Sequence, residues 1–391
     1  MRCEAVAERA RNIPPSATVR IADAVAEKKR QGLSVVDFSA GRASEHTFEY
    51  LVREATRAMH EGDTHQTMAR GKPEFREACS IKLARDNGLD ADPSREIVAT
   101  LGCKQGLFAA LLATLDPGDE VLIEDPGFVS YEPAVRYASA VARPVTISRE
   151  CRFRDRERQL SESVTDSTKG IILCSPHNPT GVIHAREDQR VIASLAQTHG
   201  LLVYSDETYE RLTWDGRRHG SIAAIPGMRE RTITLMGLTK SFCMGGWRVG
   251  FAFAPKAIVD AMLTVQEHLV TCVSSFAQTA GALAYGREPP EEVRSLWSDW
   301  ERRTRTVTAA LDALPGVRCT MAEGAFYAWA DIRERASCSM ALAAHLLEDY
   351  GVAVVPGSAF GPSGEGHVRI TCARSWQEID LGLERLRKAL C

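Results

Sequence analysis

A lysine, Lys240, follows the β-branched run Arg231-Thr-Ile-Thr-Leu-Met236, and Arg248 stands eight residues further on, after two glycines. Only the neutral amine of a lysine forms a Schiff base, so a lysine becomes a chemical tool where a scaffold strips its proton beside a carbonyl partner. The glycines let the backbone turn closely round an anion, and the guanidinium fork suits a phosphate. A lone lysine is otherwise a solvated surface residue, so its meaning depends on what stands around it. Asp206 ends the apolar run Gly200-Leu-Leu-Val-Tyr204, where a carboxylate is costly unless a cation or strong donor meets it. Tyr209 adds a phenol to the same loop. Asn178, in SPHNPTG, offers an amide in a loop stiffened by Pro176 and Pro179; His177 beside it reads as structural. Gly102-Cys103-Lys104 reads as a strand-to-helix turn, where free N–H groups and the helix dipole suit a phosphate. A plain tight turn is the competing reading there. Phe128, after Asp125-Pro126-Gly127, can stack on a planar ring, although by itself it reads equally as a core aromatic.

The elements that must hold these residues alternate. Strands are expected at 96–100, 119–124, 140–145, 170–174, 201–206 and 232–236, and helices at 104–115, 129–138 and 187–199. Strand-helix alternation with nearly all-apolar strands implies an α/β fold, a mostly parallel sheet covered on both faces by helices. Ligands of such sheets bind outside the carboxyl ends of the strands, which is where Gly102, Phe128, Asn178, Asp206, Tyr209 and Lys240 fall. Before the sheet come a helix over 16–31, a strand over 33–38 and a helix over 74–85 opened by Pro73. After Pro289-Pro290 a long charged helix (291–314), a helix over 340–350, a strand over 352–355 and a strand-helix pair over 367–390 make a smaller α+β unit. The expected division is a large domain over 46–289 and a small domain from 1–45 plus 290–391, the N-terminal helix and strand packing on the C-terminal half.

Composition narrows the class. The 391 residues favour two domains over one core. Hydrophobic residues at 44%, charged residues at 25% and a net charge of −3 are those of a soluble protein without nucleic acid or a membrane as main partner. The start, MRCEAVAERARNIPPSATVR, has no apolar h-region, and eleven scattered cysteines with no C-x-x-C pair read as reduced thiols in the cytoplasm rather than disulfides or a zinc site. No metal is expected. Walker A, G-x-G-x-x-G after a strand, H-E-x-x-H and G-x-S-x-G are all missing.

A buried carboxylate, a phenol, an amide, a lysine, an arginine, a stacking aromatic and a phosphate nest match the needs of pyridoxal 5'-phosphate: a protonated ring nitrogen, donors to the ring oxygen, an anion site and an amine for the aldehyde. The chain closely resembles the class I aminotransferases of fold type I, above all bacterial aspartate aminotransferases. The resemblance runs through PSATVRIADAVAEKKRQG, GKPEFREA, TLGCKQGLFAALLATLDPGDEVLIEDPGFVSY, SPHNPTG, SDETYE, MGLTKSFCMGGWRVG, EGAFYAWADI and GVAVVPGSAFGPSGEGHVRIT. It implies that Lys240 holds the cofactor as an internal aldimine and then moves a proton, and that Asp206 pairs with the pyridinium nitrogen. Tyr209 and Asn178 would bond the ring oxygen, and Phe128 would stack. Arg248, Gly102 and the backbone of Cys103 and Lys104 would hold the phosphate. Arg369 would clamp the substrate α-carboxylate, with Gly41 and Asn178 beside it. The substrates implied are an amino acid and a 2-oxo acid, and the assembly a homodimer with shared sites.

Two departures qualify the expectation. Where the family reads G-E-P-D-F, this chain reads Gly41-Arg42-Ala43-Ser44-Glu45, so Arg42 becomes a candidate at the substrate entrance. Where the family places a tyrosine that reaches the neighbouring subunit's phosphate, this chain has Gln66, with His65 adjacent. Amino-group transfer is the first expectation. An elimination, replacement, cyclisation or oxidation of an amino acid in specialised metabolism is the alternative, because such reactions share their first steps and differ in how the next proton is controlled.

Overall fold

The computed structural model describes residues 6–146 and 153–390. The first five residues, and with them Cys3, lie outside it, as do Cys151 and Cys391. The short strand β1 (Val36–Asp37) precedes the central sheet, whose members in chain order are β2 (Ile97–Thr100), β3 (Glu120–Asp125), β4 (Val141–Thr146), β5 (Thr168–Cys174), β6 (Leu202–Asp206), β7 (Thr232–Gly237) and β8 (Gly250–Phe253). They lie in the order β2-β8-β7-β6-β5-β3-β4. All neighbours from β7 to β4 run parallel, and β8 runs antiparallel to both β7 and β2. The interior strands are buried along nearly their whole length, as apolar strands covered on two faces must be. Helices Cys103–Thr114, Tyr131–Tyr137, Arg186–His199 and Lys256–Leu269 supply the cover.

The antiparallel β8 was not expected from the sequence. Its four residues follow Arg248 with no intervening helix, so the chain folds straight back beside β7 instead of crossing over. The helix Glu49–His60 and the pair Lys256–Leu269 and Ser275–Tyr285 were likewise unread.

The C-terminal unit is a four-stranded antiparallel sheet of β9 (Arg318–Cys319), β10 (Tyr327–Asp331), β12 (Val355–Pro356) and β13 (His367–Thr371), in the order β12-β13-β10-β9. The single strand expected over 352–355 is divided. β11 (Val352–Ala353) pairs in parallel with β1, and β12 pairs with β13, so the chain changes sheets at Val354. Through β1 the N-terminal segment pairs with β11 of the C-terminal part of the chain. The long helix Glu291–Asp312 ties the two sheets together: Val293 is buried in the core beside β8, Trp300 beneath the central cleft, and Val307 and Leu311 in the core of the C-terminal unit.

Candidate active site

The carboxyl ends of β5, β6 and β7 open into a cleft of about 370 Å³. Asp206 ends β6 with strands on both sides and is 8% exposed. One carboxylate oxygen, Oδ2, accepts the Tyr131 hydroxyl at 2.9 Å, and Oδ1 accepts the Thr208 N–H at 3.2 Å. Burial pushes the Asp206 carboxyl above its ordinary pKa, and these donors together with Lys240 pull it back towards the charged form. A bound cation would complete that compensation.

Lys240 follows β7 and sends its amine to the Gly41 carbonyl at 2.5 Å. Burial and the nearby Arg369 guanidinium lower the amine from 10.5 to about 8, with Asp206 opposing. A lysine so placed offers neutral amine near physiological pH, which ordinary lysines do not.

Arg369 points from β13 into the same cleft and is 1% exposed. Its Nη1 donates to Asn178 Oδ1 at 3.0 Å and its Nη2 to the Ser39 carbonyl at 2.8 Å. The guanidinium carbon lies 4.4 Å from the centre of the Tyr327 ring, and Nε has no partner. Gly41 makes room here, because a Cβ at that position would stand 3.1 Å from the Tyr327 hydroxyl and 3.7 Å from Arg369 Nη2. Tyr327 and Tyr209 share a hydrogen bond at 2.7 Å between their phenols.

At the other end of the cleft, Gly102 precedes the twelve-residue helix Cys103–Thr114 with φ +85°, a conformation only glycine takes cheaply. The N–H groups of that first turn have no partners within the helix. Arg248 stands beside them in a left-handed conformation, φ +54°, its Nη2 on the Leu101 carbonyl at 2.7 Å and its Nη1 on the Gly245 carbonyl at 3.0 Å. Strain of this kind persists only where the surroundings enforce it, and here it aims a guanidinium at a helix N-terminus. Lys104 holds its amine 5.3 Å from the centre of the Phe128 ring, and burial and Arg248 lower its pKa.

Of the residues singled out in the sequence, Gly41, Cys103, Lys104, Phe128, Asn178, Asp206, Tyr209, Lys240, Arg248 and Arg369 line one cleft, with Gly102 against Arg248. Arg42 and Gln66 do not line it. Arg42 is exposed, and its charge acts on Arg374; Gln66 and His65 are also exposed. His177 is buried and bonds the Thr180 hydroxyl through Nδ1 at 2.7 Å, a contact within its own loop. The reading missed Tyr131, Tyr327, Thr18 and Thr239 in the cleft. Tyr131 had a signal, a tyrosine just after Phe128, but a phenol near a helix start is common and nothing local points it at Asp206. Among the described residues, no cluster of histidine, cysteine, aspartate and glutamate is placed to hold a metal ion, and no helix is long and apolar enough to cross a membrane.

Residues 33–386 match the model of the family described as aminotransferase class I and II. An aspartate aminotransferase from Geobacillus stearothermophilus is 36% identical over 98% of both chains. An aromatic-amino-acid aminotransferase from Thermococcus litoralis is 36% identical over 92% of this chain and 93% of its own. Among solved structures, the aspartate aminotransferase of Thermus thermophilus with maleate superimposes with a TM-score of 0.91 at 35% identity, covering 98% of this chain and 99% of that one.

Proposed function

The chain belongs to the class I and II aminotransferases, and from that membership we propose that it moves an amino group between an amino acid and a 2-oxo acid on pyridoxal 5'-phosphate attached to Lys240. The observation that carries the reading is the pairing of a lysine amine lowered to about 8 with a buried carboxylate in one cleft. The donor set fits the cofactor. The glycine-opened helix N-terminus with Arg248 suits the phosphate, Asp206 supplies the counter-charge a ring N–H needs, and the unpartnered Arg369 Nε leaves that guanidinium with capacity for a carboxylate.

Pyridoxal 5'-phosphate, when bound, supplies an aldehyde that captures amines and a ring that accepts the electron pair left when a substrate Cα loses its proton. The chain's residues do the rest. Arg369 and Asn178 seat the α-carboxylate, which fixes the direction of the Cα–H bond. Lys240, whose amine burial brings down to about 8, would take that proton at its Nζ and return it, with the Gly41 carbonyl in place to hold the amine. Asp206, which burial pushes towards the neutral form and Tyr131 and Thr208 pull back towards the charged one, would pair with a protonated ring nitrogen. Tyr209, its phenol fixed by Tyr327, would bond the ring oxygen. Phe128, which lines the cleft, would stack on the ring.

Lys104 is a cleft cation left over by these assignments, and its amine gives an acidic side chain a partner. An acidic amino donor is therefore the first to test. Apo-protein loaded with pyridoxal 5'-phosphate and given one equivalent of aspartate, with no acceptor, should yield stoichiometric pyridoxamine phosphate and the matching oxo acid. Continuous release of ammonia would contradict transfer.

A further inference from the structure

The two cleft cations rest on one strap of chain, residues 39–45. The Gly41 carbonyl takes the Lys240 amine at 2.5 Å, and two residues earlier the Ser39 carbonyl takes Arg369 Nη2 at 2.8 Å. The strap, Ser-Ala-Gly-Arg-Ala-Ser-Glu, contains no proline and belongs to no helix or strand, so its own covalent structure gives it little stiffness. Its near end is tied by Asp37, whose Oδ1 accepts the Ser39 N–H at 2.9 Å, the Ser39 hydroxyl at 2.6 Å and the Ala40 N–H at 3.2 Å.

The far end is tied differently. Glu45 Oε1 accepts Arg303 Nη1 at 2.5 Å, and Oε2 accepts Trp300 Nε1 at 3.3 Å. Arg303 comes from the long helix that joins the two sheets and is 8% exposed. It also bonds the Arg374 carbonyl at 2.6 Å and lies 2.5 Å from Asp299 Oδ2. The Ser44 N–H goes to the Ala373 carbonyl at 3.0 Å. Both 373 and 374 closely follow β13, the strand that carries Arg369. A guanidinium this deep needs its acceptors, because an uncompensated buried charge is costly. Glu45 is thus held by a group that cannot easily move away. Neither Glu45 nor Arg303 lines the cleft.

We propose that Glu45 and Arg303 are positioning residues: their ion pair clamps the far end of the strap and so keeps the Ser39 and Gly41 carbonyls against Arg369 and Lys240. The substrate α-carboxylate is then seated on a guanidinium whose place is set from the long helix. The proposal rests on the assignment of Lys240 and Arg369 made above.

Glu45→Gln tests it, since it keeps size and an acceptor oxygen but removes the charge. Hydrogen exchange of the apo-chain, followed on peptides covering 38–47, should quicken about tenfold in the strap and stay unchanged in the sheets, the loss expected for one charge-assisted bond. In the loaded enzyme KM for the amino donor should rise about tenfold while kcat stays within about threefold, because seating is disturbed and the proton-moving amine is kept. Arg303→Lys, which keeps the charge but loses the fork, should fall between the two. Unchanged strap exchange and unchanged KM would overturn the clamp. Faster exchange spread through the four-stranded sheet with a lower melting temperature would also overturn it, by showing a general structural role. Borohydride trapping of the cofactor on wild-type Lys240 is measured alongside. Its failure would sink the functional reading and leave the exchange result to judge the strap.

Discussion

Lys240 gains its character from its surroundings. With Arg369 nearby and little water, its amine falls to about 8, and two outcomes follow. Lys240→Ala should abolish the mass increase that borohydride fixes on the wild-type chain in the presence of pyridoxal 5'-phosphate; retention of that increase elsewhere in the cleft would remove the central assignment. The pH dependence follows from the sign of the shift. Unfolded Lys240 binds its proton up to about 10.5, and the folded one only to about 8. The lysine's cost to stability is therefore constant below pH 8 and is relieved between pH 8 and 10.5. For capture of the cofactor, the neutral fraction grows about tenfold per pH unit below that value, so the capture rate of the apo-protein should climb to about pH 8 and then level off. Stopped-flow absorbance across pH 6 to 9 reads it. Lys104 makes the third case: Lys104→Met should raise KM for aspartate at least tenfold while altering KM for phenylalanine about twofold, since only the acidic side chain loses a charged partner. Equal effects on both would deny it that role.

The elements explain why some residues were legible and others were not. Asp206, Lys240 and Asn178 each end an apolar strand or open the loop after one, and the rule that ligands sit at the carboxyl ends of parallel strands collects them from sequence alone. Tyr327 and Arg369 come from an antiparallel sheet, where no such rule selects an end; Arg369 was found through resemblance, and Tyr327 had only its place in EGAFYAWADI. Arg42 looked suitable by type, yet the strap turns it outward beside Arg374. The strand β8 escaped notice because four apolar residues without turn signals fit many elements. The helix Cys103–Thr114 was read within a residue of its start, and its Gly102 offers a direct test of the phosphate seat. A Cβ there would meet Arg248 Nη2 at 3.1 Å, and φ is +85°. Gly102→Ala should weaken retention of pyridoxal 5'-phosphate about tenfold or more by equilibrium dialysis. Free pyridoxal, which has no phosphate, should lose far less, and an equal loss for both would place the phosphate elsewhere.

For the whole molecule, the open matter is what Gln66 touches. It lies outside the cleft of its own chain and on the surface. The neighbouring Met68 is 62% exposed and Leu269 is 55% exposed. Gln266 Nε2 donates to the Ala69 carbonyl at 2.6 Å, which holds these two segments together. Large apolar side chains left bare beside a residue expected at a phosphate fit a surface that a second copy covers. The resemblance to class I aminotransferases implies a homodimer with shared sites, in which Gln66 of each copy would reach the other's cleft. Gln66→Ala should then weaken cofactor retention several-fold without altering the lysine's own chain. Mixing decides the matter. Chains bearing Lys240→Ala are unfolded and refolded with chains bearing Gln66→Ala, so that hybrids form. If sites are shared, one site of each hybrid carries both defects. The other joins an intact Lys240 to an intact Gln66, so about half of the hybrid's sites should bind with wild-type affinity. If each chain completes its own site, every Lys240-bearing cleft keeps the Gln66→Ala defect and no such fraction appears. A sedimentation mass near 42.9 kDa, that of one chain, would exclude the shared arrangement at once.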